Sequence, residues 1–219
     1  NRQIFKLGAK EEVSPKNIRI SNITYNSFTV SWTTDGQTAG LVKYAESSGN
    51  LDKTKTEEGI NPSYVHLVNL TGLKPQTGYF FKINSGESEF DNNGVNWQAQ
   101  TTKETTQGEK VNLISGTVLL ATGAPPQGSI VYTTVNGLLF SALTSKTGSW
   151  LMTLPGNIDE KNSLLEISVL AGPSGISSAQ IYPQSAKPVP TMVLGQTYDF
   201  KNLPPNETSD IPKASLAIP

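Results

Sequence analysis

Residues 87–94 read Glu87-Ser88-Glu89-Phe90-Asp91-Asn92-Asn93-Gly94. Carboxylate and amide oxygens at this density could hold a calcium ion, which is a hard cation that takes oxygen ligands. An EF-hand loop, however, needs its acids at the first, third, fifth and twelfth positions, and this spacing does not supply them. The stretch therefore reads as a polar loop tip between two strands, and no metal or other cofactor is expected. Loops on a rigid scaffold carry recognition more often than the scaffold itself. Glu87, Glu89, Asp91, Asn92, Asn93 and the nearby Trp97 are thus the candidate contact residues for a protein or glycan. No Arg-Gly-Asp sequence is present.

Other chemistry is sparse. His66 is the only histidine, so a triad would need a serine and an aspartate poised beside it. Its place in an alternating run points to a structural or solvent-facing role instead. Cysteine is absent, which removes disulfides, thiolate zinc sites and cysteine nucleophiles. No nucleophile elbow or phosphate-cradling glycine loop occurs, so catalysis is not expected. Trp97, Tyr44 and Trp150 could stack on sugars, although strand alternation turns Trp150 toward a core, and the spacing of Trp97 from Val95 allows it the same orientation. Lys82 or Lys43 beside an asparagine and a glutamate would suit an isopeptide cross-link. Asn22, Asn69 and Asn206 head Asn-X-Thr sequons, which are expected by chance in a chain this rich in Thr and Asn.

The elements that must position these residues are strands. Apolar residues make up 36% and charged residues 16% of the 219, and no apolar run is long enough to span a bilayer as a helix. A formal net charge of -1 gives no electrostatic footprint for nucleic acid. Period-two alternation recurs while the helical period does not. In residues 27–33, Phe28, Val30 and Trp32 point one way, and Ser27, Thr29, Ser31 and Thr33 point the other. Further strands are expected over residues 17–23, 40–45, 65–70, 77–84 and 95–101. A second set is expected over 112–121, 129–135, 138–144, 149–154 and 164–171, with weaker ones at 178–182, 191–193 and 197–200. Asn136-Gly137 between apolar runs is a tight-hairpin signal, since both residues tolerate positive φ. The fold class is all-β, with two tandem antiparallel Ig-like β-sandwiches. The boundaries are an extension over 1–13, a first domain over 14–102, a polar linker over 103–110, a second domain over 111–201 and a proline-rich, extended or disordered tail over 202–219.

The first domain resembles a fibronectin type III domain. Ser14-Pro15 precedes the first strand and Trp32 sits where that family keeps its core tryptophan. The stretch Leu70-Thr71-Gly72-Leu73-Lys74-Pro75-Gln76-Thr77-Gly78-Tyr79 matches the family's corner. The resemblance implies that Leu73 plugs the core, Pro75 fixes the turn before Thr77, and the Tyr79 hydroxyl bonds back to the corner backbone. With Tyr64-Val65-His66-Leu67-Val68-Asn69-Leu70 before it, the corner is similar to that of the N-terminal fibronectin-like domain of purple acid phosphatases. The metal-binding motifs of their catalytic domain have no counterpart here, so that activity is not carried over.

The second domain resembles carboxypeptidase-regulatory-like, transthyretin-type sandwiches. The resemblance rests on Ile114-Ser115-Gly116-Thr117-Val118, on Pro126-Gln127-Gly128-Ser129-Ile130-Val131-Tyr132, and on Thr144-Ser145-Lys146-Thr147-Gly148-Ser149-Trp150. Closing on residues 190–200, the pair is similar to surface proteins of candidate-phylum bacteria, in which such domains follow a membrane anchor. The opening Asn1-Arg2-Gln3-Ile4-Phe5 is neither an initiator Met nor a signal segment, so a trimmed or processed chain is expected. The implied function is a non-catalytic extracellular or cell-surface module, serving as spacer, display element or adhesin. Two alternatives stand beside it. One is a self-assembling subunit exchanging its apolar termini, residues 4–7 and 215–218, with a neighbour's sheet edge. The other is an accessory pair of domains from a larger secreted enzyme.

Overall fold

The computed structural model describes residues 12–59, 61–104 and 110–206. Most of the expected extension, of the linker and of the tail lies outside these residues.

Alternation builds the first sandwich. One sheet has the order β1 (Lys16–Ser21), β2 (Ser27–Thr38), β5 (Ser63–Thr71). The other runs β4 (Lys53–Thr56), β3 (Gly40–Ala45), β6 (Gly78–Ser85), with β7 (Ser88–Phe90) and β8 (Trp97–Gln100) both pairing with β6. Phe28, Val30 and Trp32 meet Val68, Leu70, Tyr79, Phe81 and Ile83 between the sheets, nearly all of them fully buried. β4 has no counterpart among the expected strands. Its Lys-Thr-Lys-Thr sequence is exposed throughout and gives no apolar signal, and its strand form comes from pairing with β3 at a sheet edge.

The second sandwich sets β11 (Leu138–Leu143), β10 (Ile130–Val135), β13 (Leu165–Leu170), β14 (Ile176–Ile181) and β16 (Thr197–Asp199) against β12 (Ser149–Pro155), β9 (Val111–Leu119) and β15 (Met192–Val193). Asn136 and Gly137 turn the β10–β11 hairpin, both at positive φ. Its core holds Ile114, Val118, Val131, Trp150, Met152, Leu154, Ile167, Val169 and Ile181. Two short pairings, β14 with β16 and β9 with β15, are parallel. Residues 202–206, the described part of the expected tail, are docked. Asn206 donates to Pro188 O and accepts from the Lys187 N–H, and Leu203 O accepts from Ser185.

The two sandwiches meet face to face. The hydroxyl residues of β2 that alternation turns away from the first core are themselves buried: Thr29, Ser31 and Thr33 are at most 5% exposed. Val65 and Leu67 of β5 join Ile130 and Tyr132 of β10 in a third apolar cluster, flanked by Leu139, Leu143 and Leu170. Each strand therefore divides its residues between two cores. On β10, Val131 and Val135 face the second sandwich's interior while Ile130 and Tyr132 face the first sandwich.

Polar groups are matched across this seam. Tyr132 Oη lies 2.8 Å from Ser31 Oγ, and the Arg19 guanidinium covers the ring at 4.3 Å. Burial pushes the Tyr132 phenol above its ordinary pKa. Asn22, in the left-handed region, acts as a side-chain strand. Its amide donates to Ser141 O (3.0 Å) and accepts from Ser141 N–H (2.9 Å), while its backbone N–H donates to Leu139 O. The Ser21 and Ser141 hydroxyls are 2.7 Å apart. Gly172 closes the approach at φ 56°, where an added Cβ would stand 2.8 Å from Tyr64 Cβ.

Such a seam is expected to make the halves unfold together. Leu67→Asp places a charge in the apolar cluster and is expected to split one urea transition, followed by tryptophan fluorescence, into two. Tyr132→Ala is expected to cost about 3–5 kcal/mol, as for other fully buried aromatics, read from the midpoint of the same curve.

Candidate contact surface and buried polar clusters

Glu87, Glu89, Asp91, Asn92, Asn93 and Trp97 do not form one loop. Gly86, at φ 60°, turns the chain directly back after β6, so 88–90 pairs with the end of β6 as β7. The acids are too polar to signal a strand, and the turn glycine imposes one. Only residues 91–96 stand out, as a small hairpin closed by the Asn92–Val95 bridge, with Asn93 and Gly94 at positive φ. Asp91 Oδ1 accepts the Gly94 N–H at 2.8 Å, and Asn96 Nδ2 donates to Ser48 O at 3.0 Å. The tip is thus pinned to the β3–β4 connection. Asn92, Asn93 and Val95 are exposed on it.

Glu89 lies on the sheet face beside this tip. Lys43 Nζ and Lys82 Nζ reach its two oxygens at 2.9 and 3.0 Å, and Asp91 stands 3.8 Å from Lys82. The hydrogen bonds from Lys43 and then Lys82 hold its carboxyl below the usual carboxylate range. Glu89 in turn raises Lys82 above the ordinary lysine value. Both lysines considered for cross-linking are therefore paired with one carboxylate. Trp97 points inward. It pairs with Phe81 across β6 and β8, their rings stacked 5.9 Å apart, so one face is unavailable to a sugar. Trp150 is only 4% exposed, in line with its alternation. Tyr44 is half-buried against Tyr79, with Lys53 over its ring.

The corner residues assemble as a unit. Tyr79 Oη accepts the Lys74 N–H at 2.9 Å, Leu73 is buried in the core, and Thr77 Oγ1 donates to Pro75 O. Trp32 is fully buried and stacks on His66 at 5.0 Å. His66 Nδ1 meets Glu57 Oε2 at 2.5 Å, and its Nε2 lies 3.0 Å from Thr34 Oγ1. The order hydroxyl, imidazole, carboxylate is that of a nucleophile relay. Its His66 and Glu57 side chains are 0% and 1% exposed, so the cluster is a sealed polar strut rather than an open site. Glu57 was invisible in the sequence, because it lies nine residues from His66 in an acid-rich loop with no period.

Among the described residues no group of three or more His, Cys, Asp or Glu side chains is placed to hold a metal ion, and no helix is long and apolar enough to cross a membrane. Asn22, head of a sequon, is committed to the seam. The terminal segments 4–7 and 215–218 lie outside the described residues.

The profile of the purple acid phosphatase N-terminal domain matches residues 15–105, fewer than half of the chain. The first sandwich is thus similar in sequence to that domain. Among solved structures, the sensor domain of the anti-sigma factor RsgI4 from Pseudobacteroides cellulosolvens is 24% identical, covering 42% of this chain and 99% of that one at a TM-score of 0.30. Purple acid phosphatase PPD1 from yellow lupin is 16% identical, covering 48% and 22% at 0.32. The FN1–FN3 domains of chicken CNTN1 are 13% identical, covering 84% and 67% at 0.28. At these values they carry nothing about activity or ligands. No curated protein sequence matches the chain.

Two outcomes are expected at this end of the molecule. Tyr79→Phe leaves the Lys74 N–H without its acceptor and is expected to cost about 1–2 kcal/mol in urea unfolding. Glu89→Gln is expected to cost under about 1 kcal/mol at neutral pH, because the group is exposed. Its folded pKa is depressed, so its contribution is present above the unfolded value and is lost as pH falls through the folded one. The variant and the parent chain should therefore converge in stability in strong acid.

Proposed function

We propose that this chain is a non-catalytic extracellular surface module that holds two sandwiches as one rigid block and presents the 91–96 tip, with the flanking Glu89 face, to a protein or glycan. The observation that carries this reading is the seam. Burying Thr29, Ser31, Val65, Leu67, Ile130 and Tyr132 between the sandwiches fixes their relative orientation, and a fixed orientation is of use to a protein that must aim a surface. The pinned tip supports it, since a preorganised loop gives up little entropy on binding. A second reading is favoured by the profile match over residues 15–105: the block accompanies a catalytic domain and orients it.

Binding of the intact chain to arrayed glycans and extracellular proteins tests the first reading, beside a variant with Asp91→Ala, Asn92→Ala and Asn93→Ala. Saturable binding that weakens about tenfold or more in the variant, at an unchanged urea midpoint, supports it. Binding that ignores the substitutions moves the contact elsewhere and overturns the assignment of the tip. Turnover of a phosphomonoester by the chain supplied with iron, zinc or manganese would overturn the non-catalytic reading.

A further inference from the structure

Asn112, Glu160 and Lys187 come together from three distant places in the second sandwich. Asn112 is the second residue of β9 and pairs with Leu154 of β12. Lys187 follows a short 3-10 turn, Pro183–Ser185, in a segment laid along β9. There the Ser115 N–H donates to Ala186 O and the Val189 N–H to Ser115 O. Glu160 sits in the β12–β13 connection, fixed where its carbonyl accepts the Gln184 N–H.

One atom joins the three side chains. Glu160 Oε1 accepts from Lys187 Nζ at 2.9 Å and from Asn112 Nδ2 at 2.6 Å. An amine and a carboxamide are thereby held against a single carboxylate oxygen. Asn112 is 6% exposed and the Lys187 side chain 13%, so little water competes for the carbonyl carbon. Asn112 Oδ1 is buried with no hydrogen-bond partner. Within the side chain only the nitrogen, the atom that would leave, is tied down, by Glu160. The Lys43, Lys82 and Glu89 group differs: its carboxylate serves two ammonium groups, and no hydrogen bond links it to an asparagine amide.

We propose that Lys187 and Asn112 form an intramolecular isopeptide bond, with Glu160 carrying the protons. Lys187 passes a proton to the Glu160 carboxylate, and the neutral amine attacks Asn112 Cγ. The new Nζ–Cγ bond forms as the Cγ–Nδ2 bond breaks. Glu160 relays protons from Nζ to the departing nitrogen, which leaves as ammonium, and Glu160 ends as the carboxylate it began as. No electrons are gained or lost, and no co-reactant is needed. The Glu160 side chain is 43% exposed, which gives the ammonium a way out to solvent. The product ties the start of β9 to the segment before β15. Tension entering near Lys110 and leaving beyond Asn206 then bypasses β10 to β14.

Electrospray mass of the full chain, denatured, is the test. The bond predicts a mass below that of the sequence by one ammonia, and a branched peptide joining residues 112 and 187 after digestion. Lys187→Arg, Asn112→Ala and Glu160→Gln are each expected to restore the full sequence mass. A native-sequence chain at full mass overturns the proposal. So does a mass short by one ammonia that persists in Lys187→Arg, which would mark a succinimide, or a branch from Lys187 to a different asparagine. Should a variant fail to fold, the tandem spectrum of the native-sequence chain still decides.

Discussion

The rest of this structure depends on β2 and β5 being buried on both faces. A sandwich strand ordinarily gives one face to the core and one to water, and its sequence alternates accordingly. Here the watery face of the first sandwich is a second interface. Thr29, Ser31 and Thr33 are small enough to let another sheet approach, and each carries a hydroxyl that can be satisfied at close range. Tyr132 fills the space that small residues leave and spends its own hydroxyl on Ser31. An unpaired phenol there would cost more than the contact returns, so shape and hydrogen bonding are solved by the same pair. The Asn22–Ser141 pairing does for the edge of the seam what Tyr132 does for its middle.

This constraint also explains what could be read in advance. Both sandwiches, the hairpin at Asn136-Gly137 and the inward set of β2 follow from period two and from turn residues. The corner was legible residue by residue, down to the Tyr79 hydroxyl, through its resemblance to the fibronectin type III corner, whose residues lie close together in the chain. The seam was not. Thr and Ser on an alternate face are what solvent exposure and a polar interface both look like. Only the apolar Val65 and Leu67 on the same outward face of β5 hinted that something covers it, and Val65-His66-Leu67-Val68 reads as a buried run without saying by what.

The side-chain clusters were illegible for a related reason. Glu57 finds His66, and Glu160 finds Lys187 and Asn112, through loops whose path is set by packing. A carboxylate in a polar loop has no period and no fixed partner offset, so sequence distance says nothing about which cation or amide it meets. The candidate contact residues show the converse error. Density of acids along the chain suggested one loop, whereas the turn at Gly86 divides them between β7, where Glu89 meets two lysines, and the 91–96 hairpin.

The seam, finally, limits where the molecule can touch anything else. It consumes the outer face of β1, β2 and β5 and much of that of β10, β11 and β13. In the first sandwich that leaves the face of β3, β4 and β6 and the loop ends. On that face the charges are largely paired: Lys43 and Lys82 reach Glu89, with Asp91 3.8 Å from Lys82, and at its end Glu46 lies 2.8 Å from Lys74. Side chains already held in exposed ion pairs contribute little and have little free charge to offer, so a binding surface built on this face must get its affinity elsewhere. The 91–96 tip offers what the face lacks: exposed amides on Asn92 and Asn93, an exposed Val95, and a backbone held in advance by Asp91 and Asn96. A partner that docks there meets polar groups not consumed by ion pairing, on a loop that has little freedom left to lose.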